Sequence, residues 1–129
     1  MADYYTNLSF MVECKQGDQA LLLKMLNEDA VKRDETEEPG LGVCYKSEGN
    51  GIWFQDDAGY VEIEGLCDIF QSWLRAISDE TRSVGFEWAN TCTKPRLDAF
   101  GGGAVFIRKD EVRWLNTGSW LHERKVEEF

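Results

Sequence analysis

An amphipathic pattern in the middle of the chain is the feature that most limits how it can fold. Apolar residues recur there at i, i+3, i+4, i+7, i+8 and i+11, which is one continuous face of an α-helix. They are Leu66, Ile69, Phe70, Trp73, Leu74 and Ile77. The pattern predicts a helix that opens at Gly65 and closes at residues 78–80. Because this apolar face must be covered, the helix needs a sheet or a second helix to pack on.

A strand and a second helix are predicted before it. Alternation of apolar and polar residues over 7–14 is typical of a half-buried strand. Asp18 is then placed to cap a helix whose apolar residues recur at 22, 23, 26 and 30. Residues 32–40 are polar and include a proline, so we expect a solvated loop there.

Short strand patterns occupy most of the remaining chain. Residues 41–46 and 52–55 flank an Asn-Gly pair, which favours a hairpin because both residues tolerate positive φ. Residues 60–64 predict the third strand of this meander. Three more strands are predicted at 84–88, 104–108 and 112–116, and a short terminal helix at 120–129. The glycines at 101–103 have no helix after them, so they predict a flexible loop rather than a phosphate-binding loop.

The predicted fold class follows from this order of elements, β-α-β-β-β-α-β-β-β-α. Hairpins dominate, and each helix is followed by several strands, which favours a largely antiparallel sheet. We therefore expect a single compact α+β domain over residues 1–129, with six to seven strands and two main helices on one face. A chain of 129 residues is near the commonest domain size.

The charge of the chain excludes several classes of partner. Fourteen basic and 24 acidic residues give a net charge of −10. Direct binding to nucleic acid or to anionic lipid uses clustered Lys and Arg, so neither is expected. The acidic surplus favours a basic protein surface as partner, or serves simply to keep the chain soluble. No apolar run is long enough to cross a bilayer. Four cysteines without a C-x-x-C pair, and no signal-peptide pattern, favour a reducing cytoplasm.

No recognisable catalytic pattern is present, and we predict no enzyme, no cofactor and no metal. His122 is the only histidine and lies in a charged tail. Cys67 lies in the first turn of the central helix, where a thiol pKa can be lowered, but Glu64 and Asp68 flank it and oppose a thiolate. Asp56 and Asp57 lack the spacing of a calcium loop and are predicted to form a turn.

One group of carboxylates could gather into a negative ridge. Its members lie in the predicted meander and in the loop before it: Asp34, Glu35, Glu37, Glu38, Asp56, Asp57, Glu62 and Glu64. Carboxylates at alternate positions of a strand are about 6.6 Å apart, whereas each DNA strand carries a charge about every 3.4 Å. A second acidic element must therefore lie beside the 60–64 strand to imitate a phosphate track, and the acidic loop is the candidate.

In size, charge and lack of catalytic residues the chain resembles small acidic inhibitors carried by phages and mobile elements, including anti-CRISPR proteins and DNA mimics of restriction enzymes. The resemblance is one of general profile. It implies a non-enzymatic protein-binding module that blocks the basic nucleic-acid groove of a host protein. Two alternatives stay open: an assembly subunit or homo-oligomer that uses exposed aromatics such as Trp53, Trp120 or Phe129, and a small enzyme with a dispersed site.

Overall fold

The computed structural model of the protein describes residues 2–97 and 99–127, with the backbone alone at 126 and 127. Seven strands and three helices lie within these ranges. In chain order they are β1 Tyr4–Asn7, β2 Ser9–Glu13, α1 Gln16–Glu35, β3 Val43–Glu48, β4 Gly51–Asp56, α2 Ile63–Ala76, β5 Val84–Cys92, β6 Gly101–Ile107, β7 Val112–Asn116 and α3 Thr117–Glu127. The predicted α+β fold with antiparallel strands is confirmed.

The strands form two sheets that share the start of the chain. One sheet has the order β1-β5-β6-β7 and the other the order β2-β4-β3, and every pairing within them is antiparallel. Only Leu8 separates β1 from β2, and its side chain is buried. The single opening strand expected from the alternation is therefore bent at Leu8, with one half paired in each sheet.

Asp56 holds this bend. Its Oδ1 accepts a hydrogen bond from the Leu8 backbone N–H at 2.9 Å, and its Oδ2 accepts one from Asn7 Nδ2 at 3.3 Å. The Asp56 backbone N–H also donates to the Leu8 carbonyl at 3.1 Å. The carboxylate thus satisfies backbone groups that neither sheet can pair at the bend.

The core lies between the sheets and the two long helices. The apolar face of α2 is buried as its periodicity predicts, with Phe70 and Trp73 fully enclosed. Phe10 stacks on Phe54 from one sheet and on Phe86 from the other, at centroid distances of 5.1 and 4.6 Å. Apolar residues of α1, α2 and alternate strand positions belong to one cluster, so the two helices and both sheets share a single core.

The predicted strand over 60–64 is wrong. Tyr60 makes only an isolated bridge to Thr6, and α2 begins at Ile63. Ile63 adds one turn to the apolar face of α2, because it lies three residues before Leu66 and four before Cys67. A β-like alternation of Val61 and Ile63 was thus also compatible with the start of a helix.

Two loops and one helix start also differ from expectation. Helix α1 begins after Lys15 rather than at Asp18, and it continues to Glu35, so the polar loop is shorter than residues 32–40. The glycine triplet belongs to strand β6. A Cβ on Gly102 or Gly103 would overlap the carbonyl or the indole ring of Trp88. These glycines therefore let Trp88 lie across the strand.

Candidate functional site

The predicted acidic residues lie on neighbouring segments of the fold. Asp34 and Glu35 end α1, and the chain then turns through Glu37 and Glu38. The Glu38 N–H donates to the Arg33 carbonyl at 2.8 Å, which folds this turn back on the helix. Four carboxylates thus follow one another at the C-terminal end of α1.

Backbone hydrogen bonds link two other predicted carboxylates to the segment that follows the acidic turn. Asp57, just after β4, donates its N–H to the Gly42 carbonyl at 2.9 Å. Glu62, just before α2, donates its N–H to the Leu41 carbonyl at 2.8 Å. Only residues 39 and 40 separate Leu41 from the acidic turn of α1, so the segments that carry Asp57 and Glu62 are attached close to it.

The geometry predicted for Glu62 and Glu64 is wrong, although both residues are exposed. They do not stand at alternate positions of a strand, because Glu62 precedes α2 and Glu64 lies in its first turn. Negative side chains are favourable there, since the N-terminus of a helix carries partial positive charge. The predicted spacing of about 6.6 Å along a strand therefore does not apply to them.

Asp56 differs from the other seven residues. It is half-buried, and both its carboxylate oxygens accept hydrogen bonds at the β1–β2 bend. The other seven are exposed, and among the residues that the structure describes none of the eight forms an ion pair with Lys, Arg or His. Asp56 is therefore a structural carboxylate, and the remaining seven present uncompensated charge.

A groove between α1 and α2 adds carboxylates that the sequence did not point to. Glu28, Asp29 and Asp68 line it, and its volume is about 310 Å³. Arg33 crosses the groove, paired with Asp29 at 2.8 Å, and its guanidinium lies against Gly65. Only the adjacency of the two helices places Asp68 in the same groove as Glu28 and Asp29, and no pattern along the chain encodes that adjacency.

We define the acidic surface as the seven exposed predicted carboxylates together with Asp68. Its members are Asp34, Glu35, Glu37, Glu38, Asp57, Glu62, Glu64 and Asp68. Arg33 interrupts it, but the Asp29 partner and the Pro39 carbonyl, at 3.2 Å from Nη1, occupy that guanidinium. The acidic surface therefore presents exposed carboxylates that form no ion pair with a described Lys, Arg or His.

The thiols of Cys67 and Cys44 are not activated as nucleophiles. Burial, aided by Asp68 and Glu64, raises the pKa of Cys67 to about 12, so this thiol stays protonated. A hydrogen bond to Asp57 raises the pKa of the exposed Cys44 thiol. His122 is exposed on α3. Within the described ranges no three His, Cys, Asp or Glu side chains are arranged to hold a metal ion, and no helix is long and apolar enough to span a membrane.

A cleft of about 420 Å³ at the start of α1 contains several charged groups. Asp79 accepts hydrogen bonds from the Thr81 N–H and hydroxyl at 3.0 and 2.8 Å, and these bonds lower its pKa. Arg82 donates to the Glu13 carbonyl. These contacts hold the turn before β5 against the end of β2, which gives the charged groups a structural role.

The aromatic residues considered as alternative contacts are in different environments. Trp53 is half-buried, donates its Nε1 hydrogen to Ser9 Oγ at 2.9 Å and lies under the Lys46 ammonium. Trp120 is 51% exposed on α3. Phe129 lies outside the described residues.

The chain was compared with protein families, curated proteins and solved structures, and none of them matches it.

Proposed function

We propose that this chain is a non-enzymatic protein-binding module whose acidic surface occupies the basic, nucleic-acid-binding groove of another protein. An inhibitor of the kind carried by phages and mobile elements, of the anti-CRISPR or DNA-mimic type, would act in this way. One observation carries the proposal: exposed carboxylates stand on connected segments and have no ion-pair partner among the described residues 2–97 and 99–125.

The uneven distribution of charge along the chain supports this proposal. Residues 1–93 contain seven basic and 18 acidic residues, for a formal charge of −11. Residues 94–129 contain seven basic and six acidic residues, for a charge of +1. The first region carries the acidic surface and so has the whole negative surplus. Clustered charge of one sign steers an oppositely charged partner and speeds association.

The carboxylates come from helix ends and turns rather than from one strand. A single strand would supply about half the linear charge density of one DNA strand. Segment 34–38 is connected through residues 41 and 42 to the segment that carries Asp57 and Glu62, so the start of α2 would supply the second acidic element that the imitation of a phosphate track requires.

A charge-neutralising variant tests whether the position of the carboxylates matters. The test variant is Glu37→Gln/Glu38→Gln/Glu62→Gln/Glu64→Gln, and the probe is a nine-residue arginine peptide in a titration at low salt. The matched control makes the same change in net charge elsewhere on the surface, with Asp3→Asn/Glu13→Gln/Glu48→Gln/Glu87→Gln. Losing four exposed charge contacts of about 0.2–1 kcal/mol each weakens binding roughly tenfold or more.

The control is expected to bind the peptide nearly as well as the unchanged chain. Equal weakening by both variants would show that only net charge matters, and the acidic surface would then not be a site. Binding should also fall as salt rises, because exposed charges are screened within about 8 Å at physiological ionic strength.

The groove-blocking role needs a separate test on a real partner. The chain is used to capture proteins from its native cell at low salt, and each captured protein is then assayed for binding to double-stranded DNA. We expect the unchanged chain to displace the DNA and the four-fold Glu→Gln variant to do so poorly. A captured protein that keeps its DNA when saturated with the chain would contradict the proposal.

A further inference from the structure

The last strand and helix form a region in which the structure buries no side chain. Every residue from Arg113 to Lys125 is exposed. Four of them are large and apolar, and each is about half exposed: Trp114 51%, Leu115 52%, Trp120 51% and Leu121 49%. We call residues 112–125 the β7–α3 unit.

Helix α3 is too short to be stable without packing on another molecule or on the rest of the fold. It spans 11 residues, and isolated helices shorter than about 12–15 residues are marginal in water because most helical stability comes from packing. Its start is anchored: Asn116 Oδ1 accepts the Ser119 N–H at 3.0 Å, and Thr117 Oγ1 bonds the Gly102 N–H and carbonyl at 3.0 and 3.1 Å. None of its side chains from Thr117 to Lys125 is buried. A second molecule that covers α3 would supply the missing packing.

Strand β7 ends its sheet and leaves one edge open. The Arg108 N–H donates to the Glu111 carbonyl at 2.8 Å, and hydrogen-bonded and non-hydrogen-bonded pairs alternate along the antiparallel ladder from that point. The backbone groups of Arg113 and Leu115 therefore face β6, and those of Val112, Trp114 and Asn116 face outward. An open edge with apolar side chains is a template for pairing with another strand.

The charge distribution indicates which molecule fits this edge. Two copies of a chain with net charge −10 repel each other, except where they can meet through a surface that lacks the negative surplus. Residues 94–129 form such a region, with a charge of +1, and they contain the β7–α3 unit. Contact there keeps the two acidic surfaces away from the interface.

We propose that the β7–α3 unit binds the same unit of a second copy, with β7 pairing antiparallel to β7 about a twofold axis at Trp114. This register places Val112 opposite Asn116 of the second copy and Trp114 opposite its own equivalent, so every outward backbone group is paired. It also places Arg113 beside Leu115 rather than beside another Arg113. Closed twofold dimers are the commonest soluble oligomers.

The dimer extends the four-stranded sheet to eight strands and carries two acidic surfaces. It goes beyond the proposed function and does not depend on it. The two contacts also respond oppositely to salt. Salt weakens attraction between the acidic surface and a basic partner, whereas it relieves repulsion between two negative copies.

Sedimentation equilibrium on the full chain measures the self-association directly. We expect twice the mass of one chain at high protein concentration, and a tighter dimer at about 1 M salt than at about 0.05 M salt. A monomer mass at roughly millimolar protein in both salts would overturn the proposal. This outcome leaves peptide binding by the acidic surface unaffected, so the two proposals fail separately.

Variants locate the interface. Trp120→Glu/Leu121→Glu adds charge to α3 without disturbing a buried contact, so the monomer should stay folded while the dissociation constant rises at least tenfold. Ala30→Glu/Val31→Glu is the matched control, because it also adds two charges to adjacent exposed residues, of which Val31 is 58% exposed, but these lie on α1. This control should dimerise like the unchanged chain. Equal effects of the two variants would show that added charge alone weakens the dimer and would contradict this interface.

Amide hydrogen exchange tests the register. Arg113 and Leu115 should be protected at all concentrations, because their N–H groups face β6. Val112 and Trp114 should be protected only when the protein is concentrated enough to dimerise. Rapid exchange of Trp114 in a dimer of confirmed mass would overturn the strand pairing.

Discussion

Helices α2 and α3 both carry a tryptophan, yet their surroundings are opposite. In α2 six side chains are buried, and Trp73 is completely enclosed. In α3 no described side chain is buried, and Trp120 is half exposed. The difference lies in spacing: α2 has apolar residues on one face over its whole length, whereas Trp120 and Leu121 are adjacent and point in different directions. Apolar content alone therefore does not predict burial within one chain.

Alanine substitution of the two tryptophans gives the largest expected contrast. Trp73→Ala removes a fully enclosed indole and should cost about 3–5 kcal/mol of unfolding free energy. Trp120→Ala should change it by less than about 0.5 kcal/mol, because an exposed side chain loses little packing. Chemical denaturation is measured on dilute protein, so that self-association does not contribute. A cost at Trp120 comparable to that at Trp73 would contradict the description of α3 as unpacked.

Trp73→Phe then separates packing from hydrogen bonding. The indole Nε1 donates to the Asp18 carbonyl at 2.9 Å, which ties α2 to the first turn of α1. Phenylalanine keeps most of the apolar volume and leaves this acceptor without its partner, which costs about 1–3 kcal/mol. The measured value should therefore fall below that of Trp73→Ala.

Two glycine-to-alanine substitutions compare a crowded position in β6 with an open position in α1. A Cβ at Gly103 would overlap the Trp88 ring and lie 2.8 Å from the Leu115 carbonyl, so Gly103→Ala should destabilise the fold by about 1–3 kcal/mol. Gly17→Ala is the matched control in α1, where nothing lies within 4 Å of the added methyl group. It should stabilise the protein by roughly 0.5–1 kcal/mol. Thermal unfolding of both variants distinguishes crowding from a general effect of removing glycine.

The parts of the fold that the sequence predicted are those encoded by local periodicity. The α2 stripe and the hairpin of β3 and β4 depend on neighbours within about a dozen residues, and both are present in the structure. The turn of that hairpin is formed by Gly49, which has positive φ, and Asn50 rather than by the Asn-Gly pair. The prediction of a strand at 60–64 was wrong because these five residues fit a strand and the start of a helix equally well. The bend at Leu8 also had no local signal, since Asp56, which stabilises it, lies 48 residues away.

The candidate site shows the same limit. The acidic turn after α1 could be recognised from its composition, but its junction with the start of α2 depends on backbone bonds between residues 41–42 and residues 57 and 62. Asp56 looked equivalent to Asp57 in the sequence. Only the fold shows that one carboxylate holds the bend while the other is exposed.

The burial of Cys67 in α2 also makes the stability of the fold depend on alkaline pH. Burial raises the pKa of the Cys67 thiol from its ordinary value of 9.0 to about 12. Between these values the unfolded chain releases this proton while the folded chain keeps it, so the free energy of unfolding falls as the pH rises through that window. Cys67→Ala lacks this term, so its stability deficit relative to the unchanged chain should shrink between about pH 8 and pH 11. The hydrogen bond to Asp57 also raises the pKa of the Cys44 thiol, so Cys44→Ala should change the pH dependence in the same direction. A deficit for Cys67→Ala that is constant with pH would mean that the thiol ionises as readily in the folded chain as in the unfolded one, and α2 would then be less enclosed than its other buried residues require.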